Sequence, residues 1–354
     1  MNAEAFRNRY FRRFRNSGAP IEGVFELTGR CNFNCKMCYV HTKSNAEFLK
    51  TEKDGEWWIS QINAACERGM LFALLTGGEC LLHPNFRQIY THLYHKGVYV
   101  RINTNGFLLT ENVIDFFKSA PPLEIQLSLY ASDDIGYEKV TGLRVFGQIE
   151  QAITRTRAAN LNLRIAVTPN SFAPEETERI IKYLKQIRIP YTINPALFTP
   201  YSETAAQTLS DNSVNIKEKI TYLRTVDDVR YEPIPVENLP IAGGGRADTV
   251  QGLRCNTGHT VFTITHDGCM MPCTSMYHLR IPLDSDKDFA TAWERMLQIG
   301  REYPMPIECE GCAYRKVCLP CPILRGGQVG KGHCDPEVCK MTRQLVAEGI
   351  KGLD

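Results

Sequence analysis

Cys31, Cys35 and Cys38 stand in the run GRCNFNCKMCYV with the spacing C-x3-C-x2-C. Three thiolates so placed can hold a cubane iron-sulfur cluster by three of its irons and leave the fourth open, whereas an ordinary ferredoxin-type site supplies four ligands. An open metal position beside a pocket is a place to bind and activate something, by the logic that separates catalytic from structural zinc sites. On the residues alone, the competing reading is a zinc knuckle with a spare thiol, or three buried cysteines.

A second group follows in LLTGGEC, with Thr76, Gly77, Gly78 and Glu79. Glycines there let the backbone approach a ligand closely, and a carboxylate can meet an ammonium. VRINTNGF and QLSLYAS then bring Asn105, Ser128 and Tyr130, and Arg144 comes just after KVTG. Cys66 shares a helix face with Ile59 and Ile62 and reads as core; Cys80 fits either core or pocket.

Nine of the fourteen cysteines fall between Cys255 and Cys339. In order they are Cys255, Cys269 beside Gly268, Cys273, then C-x2-C-x5-C-x2-C at Cys309, Cys312, Cys318 and Cys321, then Cys334 and Cys339. Two C-x2-C knuckles suggest zinc, but a zinc ribbon separates its knuckles by about 15–20 residues. Only five residues separate Cys312 from Cys318, and nine thiols exceed one tetrahedral site.

These side chains need elements to position them. From Glu22 to about Pro195, short apolar runs alternate with longer amphipathic ones, the mark of repeated strand-helix units with right-handed crossovers. Strands are expected at Gly23 to Thr28, Leu71 to Thr76, Tyr99 to Thr104, Glu124 to Leu129, Asn162 to Thr168 and Tyr191 to Asn194. Helices fit at Glu56 to Arg68, Asn85 to Lys96, Thr110 to Ser119, Phe146 to Ala159 and Pro174 to Ile187. Six such units are two short of a closed eightfold barrel, so the fold class is α/β, a laterally open partial (β/α)6 barrel with its chemistry at the C-terminal strand ends. The expected organisation is an N-terminal segment over 1–20, the barrel over 21–195, a proline- and glycine-bearing bridge over 196–254, a cysteine-rich domain over 255–340 and a final helix over 341–354.

The opening segment interleaves Phe6, Tyr10, Phe11 and Phe14 with five arginines. It reads as a helix whose aromatic face packs on the barrel, or as one lying on a membrane surface or an acidic partner. Lys plus Arg is 41 against Asp plus Glu at 39, a balance without a footprint for nucleic acid. No stretch has the length of a membrane span or the apolar core of a signal peptide, so a cytoplasmic address is expected. In that reducing compartment fourteen cysteines are metal ligands, catalysts or core, not disulfides.

The cysteine loop after the first strand, with Gly77-Gly78-Glu79 ending the second, resembles the radical S-adenosylmethionine superfamily. That resemblance implies one 4Fe-4S cluster on Cys31, Cys35 and Cys38, with S-adenosylmethionine (SAM) bound through its methionyl amine and carboxylate to the open iron. One-electron reduction then cleaves the sulfonium, and a 5'-deoxyadenosyl radical abstracts a substrate hydrogen. It further implies Glu79 at the methionyl ammonium, Ser128 at the ribose or carboxylate, Arg144 near the carboxylate, and an electron donor such as flavodoxin or ferredoxin.

The C-terminal order resembles the SPASM domain of radical enzymes that modify peptides and proteins, which carries up to two auxiliary 4Fe-4S clusters. By that pattern Cys255, Cys273 and Cys321 hold the first auxiliary cluster. Cys309, Cys312, Cys318 and a late cysteine hold the second, Cys339 being preferred to Cys334. The x2 gap before Cys321 departs from the usual x3, and Cys269 is an additional thiol that completes the first cluster or stays free. Anaerobic sulfatase maturases carry an Asp where this chain has Thr274, which moves sulfatase maturation below other peptide modifications.

The expected function is therefore a radical SAM enzyme acting on a peptide or protein, by crosslinking, oxidation or epimerisation. Strand one is reached near residue 23, so no leader-binding winged-helix domain is expected ahead of it. A radical dehydrogenase on a small metabolite is the alternative. A non-catalytic electron carrier is the remote one, because carriers need closed, fully ligated clusters.

Overall fold

A computed structural model describes residues 3–40, 43–194, 252–253, 255–285, 288–304, 312–316 and 336–347. Six parallel strands appear as the alternation predicts: β1 (Glu22–Thr28), β2 (Phe72–Gly77), β3 (Tyr99–Thr104), β4 (Glu124–Leu129), β5 (Leu163–Val167) and β6 (Tyr191–Ile193). Helices α1 (Ala3–Phe14), α2 (Asn45–Leu49), α3 (Gly55–Glu67), α4 (Phe86–His95), α5 (Glu111–Ser119), α6 (Asp134–Thr141), α7 (Phe146–Ala158) and α8 (Glu176–Ile187) precede or connect them. The stretches 195–251 and residue 254, almost the whole expected bridge, lie outside the described residues.

Strand alternation builds a two-faced sheet. In β3 and β4 the residues Val100, Ile102, Ile125, Leu127 and Leu129 are buried in the main core. Arg101, Asn103, Glu124, Gln126 and Ser128, on the opposite face, are half-buried. The core beneath the helices centres on Phe25 and the fully buried Trp58, whose rings meet edge to face at 5.9 Å, with Phe262 on the other side of Phe25 at the same distance. Truncating a buried Trp of this kind costs about 3–5 kcal/mol.

The sheet does not stop at β1. Val261–Ile264 (β7) pairs parallel to β1, and Cys269–Met271 (β8) and Ile281–Pro282 (β9) follow antiparallel, giving the order β6-β5-β4-β3-β2-β1-β7-β8-β9. The first part of the expected cysteine-rich domain thus continues the barrel sheet. It is backed by α9 (Asp288–Glu302), whose Phe289 and Trp293 close on Phe262. β6 and β9 form the two edges and do not pair among the described residues, which leaves the barrel open laterally.

The N-terminal end of the sheet is closed by α1. Phe6, Tyr10 and Phe11 surround Phe72 at 6.1, 6.0 and 6.0 Å, so the aromatic face packs on the barrel and the membrane-surface reading falls away for these side chains. Just inside that end, Glu22 is paired with both Arg7 and Arg101, and Glu124 with Arg164 at 2.9 Å. Of these groups only Glu22 is fully buried, so removing both of its arginines would leave a buried charge uncompensated. No helix among the described residues is long and apolar enough to cross a membrane.

Candidate active site

All the expected barrel residues except Arg144 lie at the C-terminal strand ends. The segment Cys31–Cys38 leaves β1, Gly77–Glu79 ends β2, Asn105 follows β3, and Ser128 and Tyr130 close β4. The cysteine loop is fixed from several sides. The Lys36 amide donates to the Val140 carbonyl at 3.0 Å, Cys35 and Met37 pack with Val140, Ala173 and Tyr130, and Asn45 of α2 holds the Cys31 backbone. Behind the loop, Arg30 grips Glu52 with two donors at 2.9 and 2.7 Å and also donates to the Leu82 carbonyl. That bidentate pair anchors the loop's first residues to the chain ahead of α3.

Gly77 and Gly78 sit where the backbone leaves no room for a side chain. Gly77 has φ +130, and a Cβ on it would stand 2.3 Å from the Thr28 carbonyl oxygen. One on Gly78 would stand 2.3 Å from the Arg30 oxygen. The Gly78 and Glu79 amides donate to those same two carbonyls at 2.8 Å. The glycines therefore let the start of the cysteine loop lie directly against the end of β2, and Thr76 stays buried beside them.

Glu79 is fully buried. Its carboxylate accepts from the Thr104 hydroxyl at 2.9 Å, the Asn105 amide at 2.8 Å and the Leu81 amide at 3.1 Å, tying the end of β2 to the end of β3. Burial raises its pKa above the ordinary carboxylate range despite those donors. Cys80 beside it is fully buried, its thiol 3.4 Å from the Asn103 carbonyl, and belongs to the core.

The three thiols converge. Burial pushes Cys31 up to about 12, with the fields of Glu79 and Cys38 adding to it and the Phe33 amide and Asn105 side chain opposing. Cys35 is also held well above its ordinary value, first by burial, then by the fields of Cys38 and Cys31. Among the described residues no three His, Cys, Asp or Glu side chains close around a single metal ion. Three soft thiolate donors on one loop suit a cubane, which spreads its thiolates over separate irons.

Asn105 donates through Nδ2 to the Asn32 Oδ1 at 2.8 Å and to the Cys31 sulfur at 3.7 Å, and its Oδ1 accepts from the Phe107 amide. Tyr130 and Cys35 both pack on Met37, Val140 and Ala173, and Ser128 stands two residues before Tyr130 near the end of β4. Arg144 stands apart, exposed and ion-paired with Glu138 at 2.8 Å. Asn45 escaped the sequence reading because an asparagine in a polar stretch carries no signal until its partner is known.

Farther along, Cys255 is exposed, and its carbonyl accepts from Arg15 at 3.3 Å. Cys273 packs on the Leu253, Met276 and Tyr303 cluster. Cys269 lies buried on β8 with its sulfur 2.9 Å from an Arg280 nitrogen; the same guanidinium also pairs with Asp267 and reaches the Tyr277 hydroxyl. Cys312 and Cys339 are half-buried, the latter on α10 (Pro336–Ala347). Cys309, Cys318, Cys321 and Cys334 lie outside the described residues.

A laterally open parallel barrel with three convergent thiols on its first loop, braced by a glycine-lined strand end, defines an iron-sulfur radical enzyme. The chain belongs to the radical SAM superfamily, whose family model matches residues 25–211. It is similar to the PqqA peptide cyclase of Xanthomonas oryzae pv. oryzae (strain MAFF 311018), with 30% identity over 317 residues, 84% of this chain and 81% of that one. The PqqA peptide cyclase of Streptomyces rochei is 26% identical over 275 residues, 73% of this chain and 71% of the relative. Among solved structures, Streptococcus suis SuiB bound to precursor peptide SuiA matches with a TM-score of 0.68 at 13% identity, covering 94% of this chain and 78% of SuiB. Native anSMEcpe with bound AdoMet gives 0.68 at 14% identity, covering 93% and 97%. At such identities these structures establish the shared fold.

Proposed function

We propose that this enzyme uses radical chemistry to modify a ribosomally made peptide. The observation that carries the reading is the placement of Cys31, Cys35 and Cys38 against Gly77, Gly78 and Glu79 at the C-terminal end of an open barrel. The peptide is supported by the relatives, which are named as cyclases of a peptide and match most of both chains.

Cys31, Cys35 and Cys38 would hold the 4Fe-4S cluster. When bound, cluster and SAM together supply the electron transfer that splits the sulfonium and the radical that takes a hydrogen atom. The chain's own residues set the stage for this. Glu79 presents a buried negative charge whose field reaches Cys31 and suits a methionyl ammonium. Its raised pKa is the unmatched cost of that burial, which a bound cation offsets. Gly77 and Gly78 keep the loop from drifting off β2. Below the strand ends, Asn103 and Gln126 stand side by side on the half-buried face. The arginines and glutamates deeper in are already paired, so the barrel interior offers a substrate hydrogen bonds more than net charge.

A low-potential donor such as flavodoxin or ferredoxin would reduce the cluster, and the address is cytoplasmic. For the C-terminal region we assign Cys255 and Cys273 to one auxiliary cluster and Cys312 and Cys339 to the other, completed by Cys321, Cys309 and Cys318. Support for the second comes from the Arg343 guanidinium over the Tyr314 ring at 5.7 Å. Arg343 is four residues beyond Cys339 on the same helical face, and Tyr314 is two beyond Cys312. Cys269, held by Arg280, is left out of both.

The test is SAM cleavage by the reduced, anaerobically reconstituted protein. 5'-Deoxyadenosine should form, and should vanish when Cys31, Cys35 and Cys38 are all replaced by Ala. A triple variant that still forms it would overturn the assignment. Co-expression with a short peptide encoded beside this protein, followed by mass spectrometry, tests the substrate: an unmodified peptide from every such pairing counts against the peptide reading.

A further inference from the structure

Asn105 makes two donations of one sign to two negative groups. Its backbone N–H goes to the Glu79 carboxylate at 2.8 Å, and its side-chain N–H goes to the Cys31 sulfur at 3.7 Å. The side chain is itself fixed: Oδ1 accepts from the Phe107 amide at 3.0 Å, and Nδ2 also meets Asn32 at 2.8 Å, so the amide cannot turn away. It is only 6% exposed, which keeps water from competing for the sulfur. A second N–H, from Phe33, reaches the same sulfur at 3.4 Å.

The surroundings make those donors matter. Cys31 is half-buried, and the fully buried Glu79 carboxylate sets a negative field on it. Both oppose adding negative charge, and a 4Fe-4S cluster gains one when it accepts an electron. Hydrogen bonds to cluster sulfurs act in the opposite direction and are among the main levers on the potential.

We propose that Asn105 tunes the reduction potential of the cluster held by Cys31, Cys35 and Cys38, its Nδ2–H drawing charge from the Cys31 sulfur and stabilising the reduced state. The inference rests on the assignment of those cysteines to the cluster. Asn105 acts through Cys31 and is a positioning and tuning residue. It is assigned here to the cluster, in place of the SAM contact expected from the sequence.

The experiment is an EPR-monitored redox titration of the reconstituted enzyme without SAM, following the reduced-cluster signal that the Cys31, Cys35, Cys38 triple Ala variant lacks. Asn105→Ala should lower the midpoint by about a tenfold change in the reduction equilibrium, which is 59 mV for one electron. Asn105→Asp keeps the acceptor for the Phe107 amide and so the local turn, but puts a carboxylate oxygen where the donor stood, and should lower it further. A purely structural role for Asn105 would reduce the iron bound while leaving the potential of the retained cluster unchanged. That result, in Asn105→Asp, overturns the inference. Absence of any triple-variant-sensitive signal in the wild type would instead overturn the cluster assignment beneath it.

Discussion

Asn45 and Cys31 hold each other by a reciprocal pair of hydrogen bonds: the Cys31 amide donates to Asn45 Oδ1 at 3.1 Å, and Asn45 Nδ2 donates to the Cys31 carbonyl at 2.9 Å. A carboxamide used in this way imitates a strand partner for one residue. It pins the first thiol of the loop to α2, which is itself closed by a capping box between Ser44 and Glu47.

Asn45→Ala should therefore loosen the Cys31 backbone. Two net hydrogen bonds are worth about 1–3 kcal/mol together. Iron retained by the barrel cluster after desalting should fall, and 5'-deoxyadenosine formation with it. Asn45→Asp, which keeps only the acceptor, should fall between the variant and the wild type. Equal iron in all three proteins would show that the pair does not steady the loop.

Glu79→Gln keeps the shape and removes the charge. One oxygen of the wild-type carboxylate is replaced by an NH2 among donors from Thr104, Asn105 and Leu81. At least one buried N–H then loses its acceptor, at about 1–3 kcal/mol. For a chain of 354 residues that lowers Tm by about 1–2 °C per kcal/mol. Loss of a charge-assisted partner for the methionyl ammonium should separately weaken SAM binding about tenfold to a hundredfold. Calorimetry with SAM and a melting curve without it read the two effects independently; an unchanged SAM affinity sinks the ammonium contact alone.

How much of this was legible beforehand differs residue by residue. Tyr99–Thr104 and Glu124–Leu129 fall where the alternation placed them, because a strand with one face in the core writes its period into the sequence. The α6 helix escaped that reading: it is short, mostly polar and holds Gly136, although Asp133 caps its start and Gly142 ends it at φ 80. The pairing of β7 with β1 was also invisible, since a partner so distant along the chain leaves no local trace. Glu79 and Asn105 were picked out by their place at strand ends, but the bond between them and the one from Asn105 to Cys31 are facts of three-dimensional geometry. Arg144, expected near the SAM carboxylate, pairs with Glu138 at the surface, a contact that its place after KVTG could not reveal.

The Asp267 carboxyl is held below the ordinary aspartate range: burial pushes it up, but the Thr265 hydroxyl and Arg280 outweigh that. A depressed folded-state pKa means that the folded protein binds the proton less readily than the unfolded chain. Its contribution is present above the unfolded value, about 3.9, and is lost as pH falls through the lower folded value. Acid titration of stability should show a shallower decline for Asp267→Asn than for the wild type below that pH, with a lower plateau at neutrality. Parallel acid limbs would mean that the pair with Arg280 is not formed in solution.

The last prediction separates the C-terminal thiols. The Tyr314–Arg343 contact brings the turn that begins at Cys312 beside the helix that carries Cys339, whereas the Cys269 sulfur already faces the Arg280 guanidinium at 2.9 Å. That guanidinium also pairs with Asp267, and the two auxiliary ligand sets proposed above are drawn without Cys269. Three cubanes imply about twelve irons per reconstituted chain. Replacing Cys312 and Cys339 together by Ala should lower that to about eight, since a cluster short of two of four thiolates is not retained. Cys269→Ala should leave both the iron content and the Mössbauer spectrum as they were, and Cys334→Ala should do the same. Substrate turnover should fail in the double variant while SAM cleavage at Cys31, Cys35 and Cys38 persists, because the barrel site is built without these residues. A wild-type protein with only about four irons, with or without zinc, would return the C-terminal cysteines to a structural metal domain; loss of iron in Cys269→Ala would instead move that thiol into the first auxiliary cluster, with Arg280 donating to its sulfur.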